Sequence, residues 1–155
     1  MNAINHQLTT AAAYVAIYNQ QWSTFEFMSL PDGLAFAMLG ALLPDIDCRH
    51  STIGRKLPFL SLPIQLVFGH RGALHSLLAA FCLLYFASLA AFPWAQSLTF
   101  GFIAHLVGDS CTKAGVNYFW PVSSHRFRFP ILIARNPLFE YTTSAVLLLL
   151  AFLSF

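Results

Sequence analysis

The chain has 155 residues, of which 57% are hydrophobic and only 9% are charged, whereas soluble domains carry about 25% charged residues. So few charges could not cover a water-exposed surface, and a mean hydropathy of +0.64 favours one membrane-embedded domain over residues 1–155. The net charge of +2 excludes a strongly basic nucleic-acid-binding surface, and three cysteines without a C-x-x-C spacing indicate neither a disulfide framework nor a zinc knuckle.

The apolar segments predict an all-α fold, a polytopic membrane helix bundle with about five transmembrane or membrane-embedded helices. We expect helices, in chain order, over Leu8–Ser23, Leu34–Leu43, Ala73–Phe92, Ala95–Thr112 and Leu138–Phe155. The last three have nearly the ~20 residues that a ~30 Å hydrocarbon core requires. The segment Leu57–Gly69 is apolar but contains Pro58 and Pro63, so it fits an interfacial or re-entrant piece better than a crossing.

Lys and Arg fall mainly in two loops, and the turn around Pro93 contains none. The first loop contains Arg49, Arg55 and Lys56, and the second contains Lys113, Arg126, Arg128 and Arg135. If the helices alternate across the bilayer, both loops lie on one side, which the positive-inside rule assigns to the cytoplasm. The sequence therefore predicts a multi-pass protein of the inner, or cytoplasmic, membrane.

Potential metal ligands cluster at the cytoplasmic ends of the predicted helices. They are His6, Asp45, Asp47, His70, His75, His105 and Asp109. An ionisable side chain costs about 2.5–3.5 kcal/mol at mid-bilayer, so such residues are rare there without a partner or a function. We expect the seven to meet around a cation. The alternative is a set of helix caps and polar contacts between helices.

The spacing of these residues predicts how they approach one another. His105 and Asp109 are four apart and share one face of a helix. Pro44 disfavours helix at the preceding residue, so Asp45 and Asp47 are expected in an extended loop with both carboxylates on one side. His70 and His75 are five apart, which places His70 before a helix and His75 in its first turn.

A mixed imidazole and carboxylate set fits a divalent metal, Zn above all, with Mn or Fe as alternatives. Seven ligands could hold one or two ions. The metal would lower the pKa of a water molecule that attacks a phosphoester. Asp45 or Asp109 is a candidate general base in that reaction. Arg71 and Lys113 lie beside the ligands in the sequence and are candidates to bind the substrate anion.

Three longer motifs contain these residues: GALLPDIDCRHSTIGRK at 40–56, HRGALHS at 70–76 and GFIAHLVGDSCTKAGVNYFWP at 101–121. Together they resemble the YdjM family of bacterial and archaeal inner-membrane proteins. Members are described as metal-dependent hydrolases and in some cases as LexA-binding. The family pattern maps onto the same seven ligands from His6 to Asp109, and Ala73-Leu74 stands where a Thr commonly precedes the histidine. The family is distantly similar to zinc-dependent phospholipase C and P1-type nucleases, which implies phosphoester hydrolysis.

The sequence thus predicts a membrane-embedded metal-dependent hydrolase of a lipid or amphiphilic phosphoester. Two alternatives stay open. One is a metal transporter or metal-handling membrane protein that uses the same cluster without hydrolysis. The other is a structural or regulatory membrane subunit stabilised by a metal ion. A transporter is disfavoured because all candidate ligands lie at one membrane face and no second polar relay crosses the helices.

Overall fold

The structure, a computed structural model, describes residues 3–20, 28–90, 92–129 and 137–153. These ranges contain six α-helices, two short 3-10 turns and no strands, which confirms the all-α prediction for the described chain. The helices are α1 (Ala3–Asn19), α2 (Leu30–Gly40), α3 (Pro58–Phe68), α4 (Leu77–Ala90), α5 (Pro93–Ser110) and α6 (Pro137–Leu153). Ser23, Arg135 and Phe155, which belong to predicted segments, lie outside the described residues.

Prolines begin several of these helices. Pro31, Pro58 and Pro93 each occupy the first or second position of α2, α3 and α5. A helix leaves its first N–H groups unpaired, so a residue without an N–H costs nothing there, and its fixed φ favours the helical turn. The prolines that punctuate the sequence therefore set where α2, α3 and α5 start.

Helix α5 occupies the centre of the bundle. It packs against α1, α2 and α4, while α1 also packs against α2 and α6. The contact between α2 and α5 is very close because Gly40 and Gly101 lie in it. A Cβ on Gly40 would collide with the Leu98 carbonyl, and a Cβ on Gly101 with the Ala37 carbonyl. Small residues of this kind let two helix backbones approach.

Large apolar side chains cover much of the outside. Phe81, Phe86 and Leu89 of α4 and Leu150 and Leu153 of α6 are all exposed. Such a surface would aggregate in water and fits contact with lipid. Even so, none of the helices in the described residues is both long and apolar enough to cross a bilayer, so the five predicted spans are not confirmed.

Two local predictions are wrong. The Pro44–Asp47 segment forms a 3-10 turn instead of an extended loop, because Leu43 adopts helical dihedrals in spite of the following proline and Pro44 begins the turn. His75 lies in a second 3-10 turn, Ala73–His75, and not in the first turn of α4. Ser76 is extended between that turn and α4, so the helix is shorter at its start than the predicted apolar stretch.

Candidate metal centre

The predicted ligands lie at one end of the bundle. His6 is near the start of α1, and His105 and Asp109 are in the last two turns of α5. The two 3-10 turns contain Asp45, Asp47 and His75, and His70 lies between α3 and the second turn. The first residues of α1 lie beside the last turns of α5 in space, so side chains from distant parts of the chain meet at this end of the bundle. His6, Asp47, His75, His105 and Asp109 are each at most 1% exposed.

His6, His105 and Asp109 form the part of the cluster that lies between α1 and α5. The rings of His6 and His105 stack with centroids 3.8 Å apart. His6 Nε2 lies 3.2 Å from Asp109 Oδ1, and His105 Nε2 lies 3.9 Å from Asp109 Oδ2. The spacing of four residues between His105 and Asp109 does place both side chains on one face of α5, as the sequence predicts.

Hydrogen bonds on the outer ring nitrogens fix the tautomers of two histidines. His105 donates its Nδ1–H to the Ala41 carbonyl at 2.7 Å. His75 donates its Nδ1–H to Asp47 Oδ2 at 2.8 Å. A neutral imidazole carries a single ring proton, so the Nε2 of each ring keeps its lone pair. Both Nε2 atoms lie within 4 Å of Asp109 Oδ2.

The two aspartates of the 3-10 turn point to different partners. In a 3-10 turn with three residues per revolution, side chains two positions apart point in different directions, so Asp45 and Asp47 do not face the same side. Asp45 Oδ1 lies 3.9 Å from His105 Nε2, inside the cluster. Asp47 instead accepts hydrogen bonds from His70 Nδ1, His75 Nδ1 and the backbone N–H of Arg71. Asp47 therefore holds other residues in place.

The environments of the two carboxyl groups separate their pKa values. Burial raises the pKa of Asp45 above its ordinary value, although the charges of His6 and His75 act against it. Burial also acts to raise the pKa of Asp47, but the hydrogen bonds from His70 and His75 outweigh it and lower that pKa. Asp47 is thus an ionised acceptor, which is the state that a ring-orienting carboxylate needs.

Arg71 lies against the cluster and is already paired. Its Nη2 forms a 2.6 Å ion pair with Asp109 Oδ2, and its Nη1 donates to the Gly115 carbonyl at 3.1 Å. Its backbone has φ of +60°, a conformation that L residues rarely adopt. The guanidinium offers five N–H donors, so donors remain for a further acceptor.

The donor set fits a divalent metal. Among the described residues, His75 Nε2 and His105 Nε2 are buried ring nitrogens without a hydrogen-bond partner, and both lie beside the carboxylates of the cluster. Two groups have ligand atoms within 4.8 Å of one another, His6 with His105 and Asp109, and Asp45 with His75 and His105. Ligand atoms about 2.0–2.2 Å from one ion are roughly 3–4 Å apart, and the closest ligand atoms of these residues are separated by 3.2–3.9 Å.

Both groups use His105, which has consequences for the number of ions. Its Nδ1–H is committed to Ala41, so only the single lone pair at Nε2 can bind a metal. Two complete three-ligand sites cannot share that lone pair. A single ion would take His105 as one ligand, together with other residues of one group or of both.

Some predicted residues lie elsewhere. His70 and Asp47 belong to neither ligand group, and the His70 side chain is 40% exposed. Lys113 is exposed in the turn after α5, and no contact described for it joins it to the cluster. Sequence reasoning missed two backbone acceptors, the carbonyls of Ala41 and Gly115. Every residue has a backbone carbonyl, so the sequence does not distinguish the ones that accept these hydrogen bonds.

The chain is similar in sequence to a family of known membrane proteins. A family model described as YdjM inner membrane protein matches residues 1–155. The chain is 43% identical over 107 residues to the inner membrane protein YdjM of Escherichia coli strain K12, a match that covers 64% of this chain and 54% of that protein. The chain therefore spans about half the length of this curated relative.

Two further relatives match more of their own length. The chain is 36% identical over 118 residues to the uncharacterized protein YvsG of Bacillus subtilis strain 168, which covers 74% of this chain and 72% of that protein. It is 33% identical over 128 residues to the inner membrane protein YbcI of Escherichia coli strain K12, a match that covers 74% of this chain and 70% of that protein. No solved structure matches the chain.

Proposed function

The chain belongs to the YdjM inner membrane protein family, and from this premise we propose that it is a membrane-embedded metal-dependent hydrolase. Its substrate would be a phosphoester of a lipid or another amphiphile that reaches a site at the membrane. The observation that carries the proposal is the convergence of buried imidazole nitrogens without hydrogen-bond partners on two carboxylates. Buried polar groups are almost always paired, so such a set calls for a cation.

One divalent ion, Zn in the first place and Mn or Fe as alternatives, would be held by residues of the two ligand groups. They are His6, Asp45, His75, His105 and Asp109. Bound there, the ion would supply Lewis acidity and make a water molecule a stronger acid. Asp47 keeps His75 in the tautomer that offers Nε2 inward, and the Ala41 carbonyl does the same for His105.

The remaining steps fall to Asp45 and Arg71. The Asp45 side chain is 18% exposed, whereas that of Asp109 is 2% exposed, so Asp45 is the better placed general base for water that arrives from outside. Arg71 keeps unused N–H donors beside Asp109, and these could hold phosphoryl oxygens as charge develops on them. Lys113 stays a weaker candidate for binding the substrate anion because it is exposed in a turn.

We place the cluster at the cytoplasmic face of a multi-pass protein. The exposed charged side chains of the two described loops beside the cluster, including Arg49, Lys56 and Arg126, are basic, which supports this orientation. The exposed apolar surfaces of α4 and α6 support lipid contact.

The orientation is tested by labelling single cysteines introduced at Arg55 and at Trp94 in spheroplasts. If the loop is cytoplasmic, the cysteine at position 55 is protected from a label added outside the spheroplasts. Labelling at position 55 would refute the orientation.

Hydrolysis is tested with purified protein loaded with Zn or Mn. A generic phosphodiester and phospholipid vesicles serve as substrates, and release of phosphate or headgroup is measured. We expect metal-dependent turnover that Asp45→Asn and His105→Ala abolish. His125→Ala is the matched control, because His125 is exposed outside the cluster and the same ring is removed.

The outcome also separates the alternatives. Metal bound in stoichiometric amount without turnover on any substrate would refute hydrolysis. Metal flux in proteoliposomes would then identify a transport role. Unfolding on metal removal without flux would identify a structural one.

A further inference from the structure

Helix α1 presents a polar face to α5. His6, Thr10 and Tyr14 are four residues apart, so they share one face of the helix, and each is at most 1% exposed. His6 contacts His105 and Asp109 of α5, and Tyr14 forms a 3.0 Å hydrogen bond with Ser97 of α5. Thr10 therefore lies between two residues that both touch α5.

Two polar atoms on this face are unsatisfied. His6 Nδ1 and Thr10 Oγ1 are buried, and neither has a hydrogen-bond partner among the described residues. The neighbouring Thr9 behaves differently, because its hydroxyl bonds to the backbone carbonyls of Asn5 and His6. A buried donor and a buried acceptor one helical turn apart are complementary, since leaving either unpaired is costly.

The proposed metal site decides which of the two groups donates. If His6 binds the ion through Nε2, its neutral ring carries the remaining proton on Nδ1 and must donate it. Metal-binding histidines almost always donate that second N–H to an acceptor. His75 donates to Asp47 and His105 donates to the Ala41 carbonyl, whereas His6 has no acceptor in the contacts of the described chain.

We propose that a buried water molecule bridges His6 Nδ1 and Thr10 Oγ1, and that Thr10 thereby positions His6 for metal binding. This inference rests on the proposed metal site. A water is needed because no direct hydrogen bond joins the two atoms, and a buried water requires polar partners of this kind. Thr10 is a positioning residue that acts through His6, since it belongs to neither ligand group.

The test compares the affinity for Zn²⁺ of full-length variants, measured by competition with a chelator. Thr10→Ala and Thr10→Ser both lose the methyl group, but only the serine keeps the hydroxyl. We expect about 10- to 100-fold weaker binding for Thr10→Ala and nearly unchanged binding for Thr10→Ser. Thr9→Ala is the matched control and should bind as the unmodified protein does.

A second measurement does not depend on affinity. In the Zn²⁺-loaded protein, ¹⁵N spectra of the His6 imidazole should show a slowly exchanging proton on Nδ1, and Thr10→Ala should speed its exchange. Equal affinities and equal exchange in Thr10→Ala and Thr10→Ser would overturn the inference and leave the metal site standing. Failure of the unmodified protein to bind any divalent metal would overturn both.

Discussion

Replacement of Asp47 by asparagine tests how the cluster is organised, because this substitution changes one atom of a buried group. Asp47 accepts three hydrogen bonds, from His70 Nδ1 to one oxygen and from His75 Nδ1 and the Arg71 N–H to the other. An asparagine keeps one acceptor and turns the other into a donor. If the NH₂ replaces Oδ1, the partly exposed His70 Nδ1–H loses its acceptor; if it replaces Oδ2, the buried His75 Nδ1–H and the Arg71 N–H lose theirs.

The magnitude follows from that loss. A buried donor without an acceptor costs about 1–3 kcal/mol, and 1.4 kcal/mol corresponds to about tenfold in a binding constant. If the amide NH₂ faces His75, the ring accepts at Nδ1 and carries its proton on Nε2, which is the wrong tautomer for a metal ligand. We therefore expect Asp47→Asn to weaken metal binding by about 10- to 100-fold.

The assay is competition between the purified protein and a chelator of known affinity, with metal content measured by mass spectrometry. Asp32→Asn is the control, since Asp32 is exposed and accepts a hydrogen bond from the nearby Ser29. Thermal melting of the metal-free proteins checks that the fold is retained. Affinity of Asp47→Asn within twofold of the unmodified protein would refute the orienting role of Asp47.

Three further predictions concern the same region. Mass spectrometry of the loaded protein should find one ion per chain, because both ligand groups depend on the single lone pair of His105, and two tightly bound ions would contradict this. Gly101→Ala should destabilise the protein by about 1–3 kcal/mol in a thermal melt, because its Cβ would press on the rigid Ala37 carbonyl. Arg71→Ala should cost the metal-free protein about 3 kcal/mol by removing the ion pair between Arg71 and the buried Asp109, and added Zn²⁺ should reduce that cost; an equal cost with and without metal would contradict the shared site.

The sequence predicts the membership of the cluster better than the role of each member. Alternating apolar segments place His6, His75, His105 and Asp109 at the same end of antiparallel helices, and the structure brings these residues together. This succeeds because the ends of helices are set by prolines and by the length of apolar runs, which are local properties.

The roles of Asp45 and Asp47 depend on a turn that local rules do not fix. Pro44 only disfavours helical dihedrals at Leu43, and the packing of the turn overrides that preference. The turn then sends the two carboxylates to different partners. Likewise, Arg71 pairs with Asp109 while its backbone has a positive φ, and an arginine in the sequence does not predict that conformation. Contacts between distant segments decide these features.

Charge balance gives an independent reason to expect a divalent ion in this cluster. Asp47 and Asp109 are buried carboxylates and Asp45 is a partly buried one, and among the described residues Arg71 is the lysine or arginine that forms an ion pair with them. Fully ionised, the cluster would carry two uncompensated negative charges in a poorly hydrated site, which is strongly unfavourable. Protonation of His75 and His105 could cancel that charge, but each ring would then lose the Nε2 lone pair that its Nδ1 hydrogen bond keeps directed inward. A monovalent cation would leave one charge and a trivalent one would overshoot, so the divalent ions that imidazole and carboxylate ligands prefer are also the ones that neutralise the site.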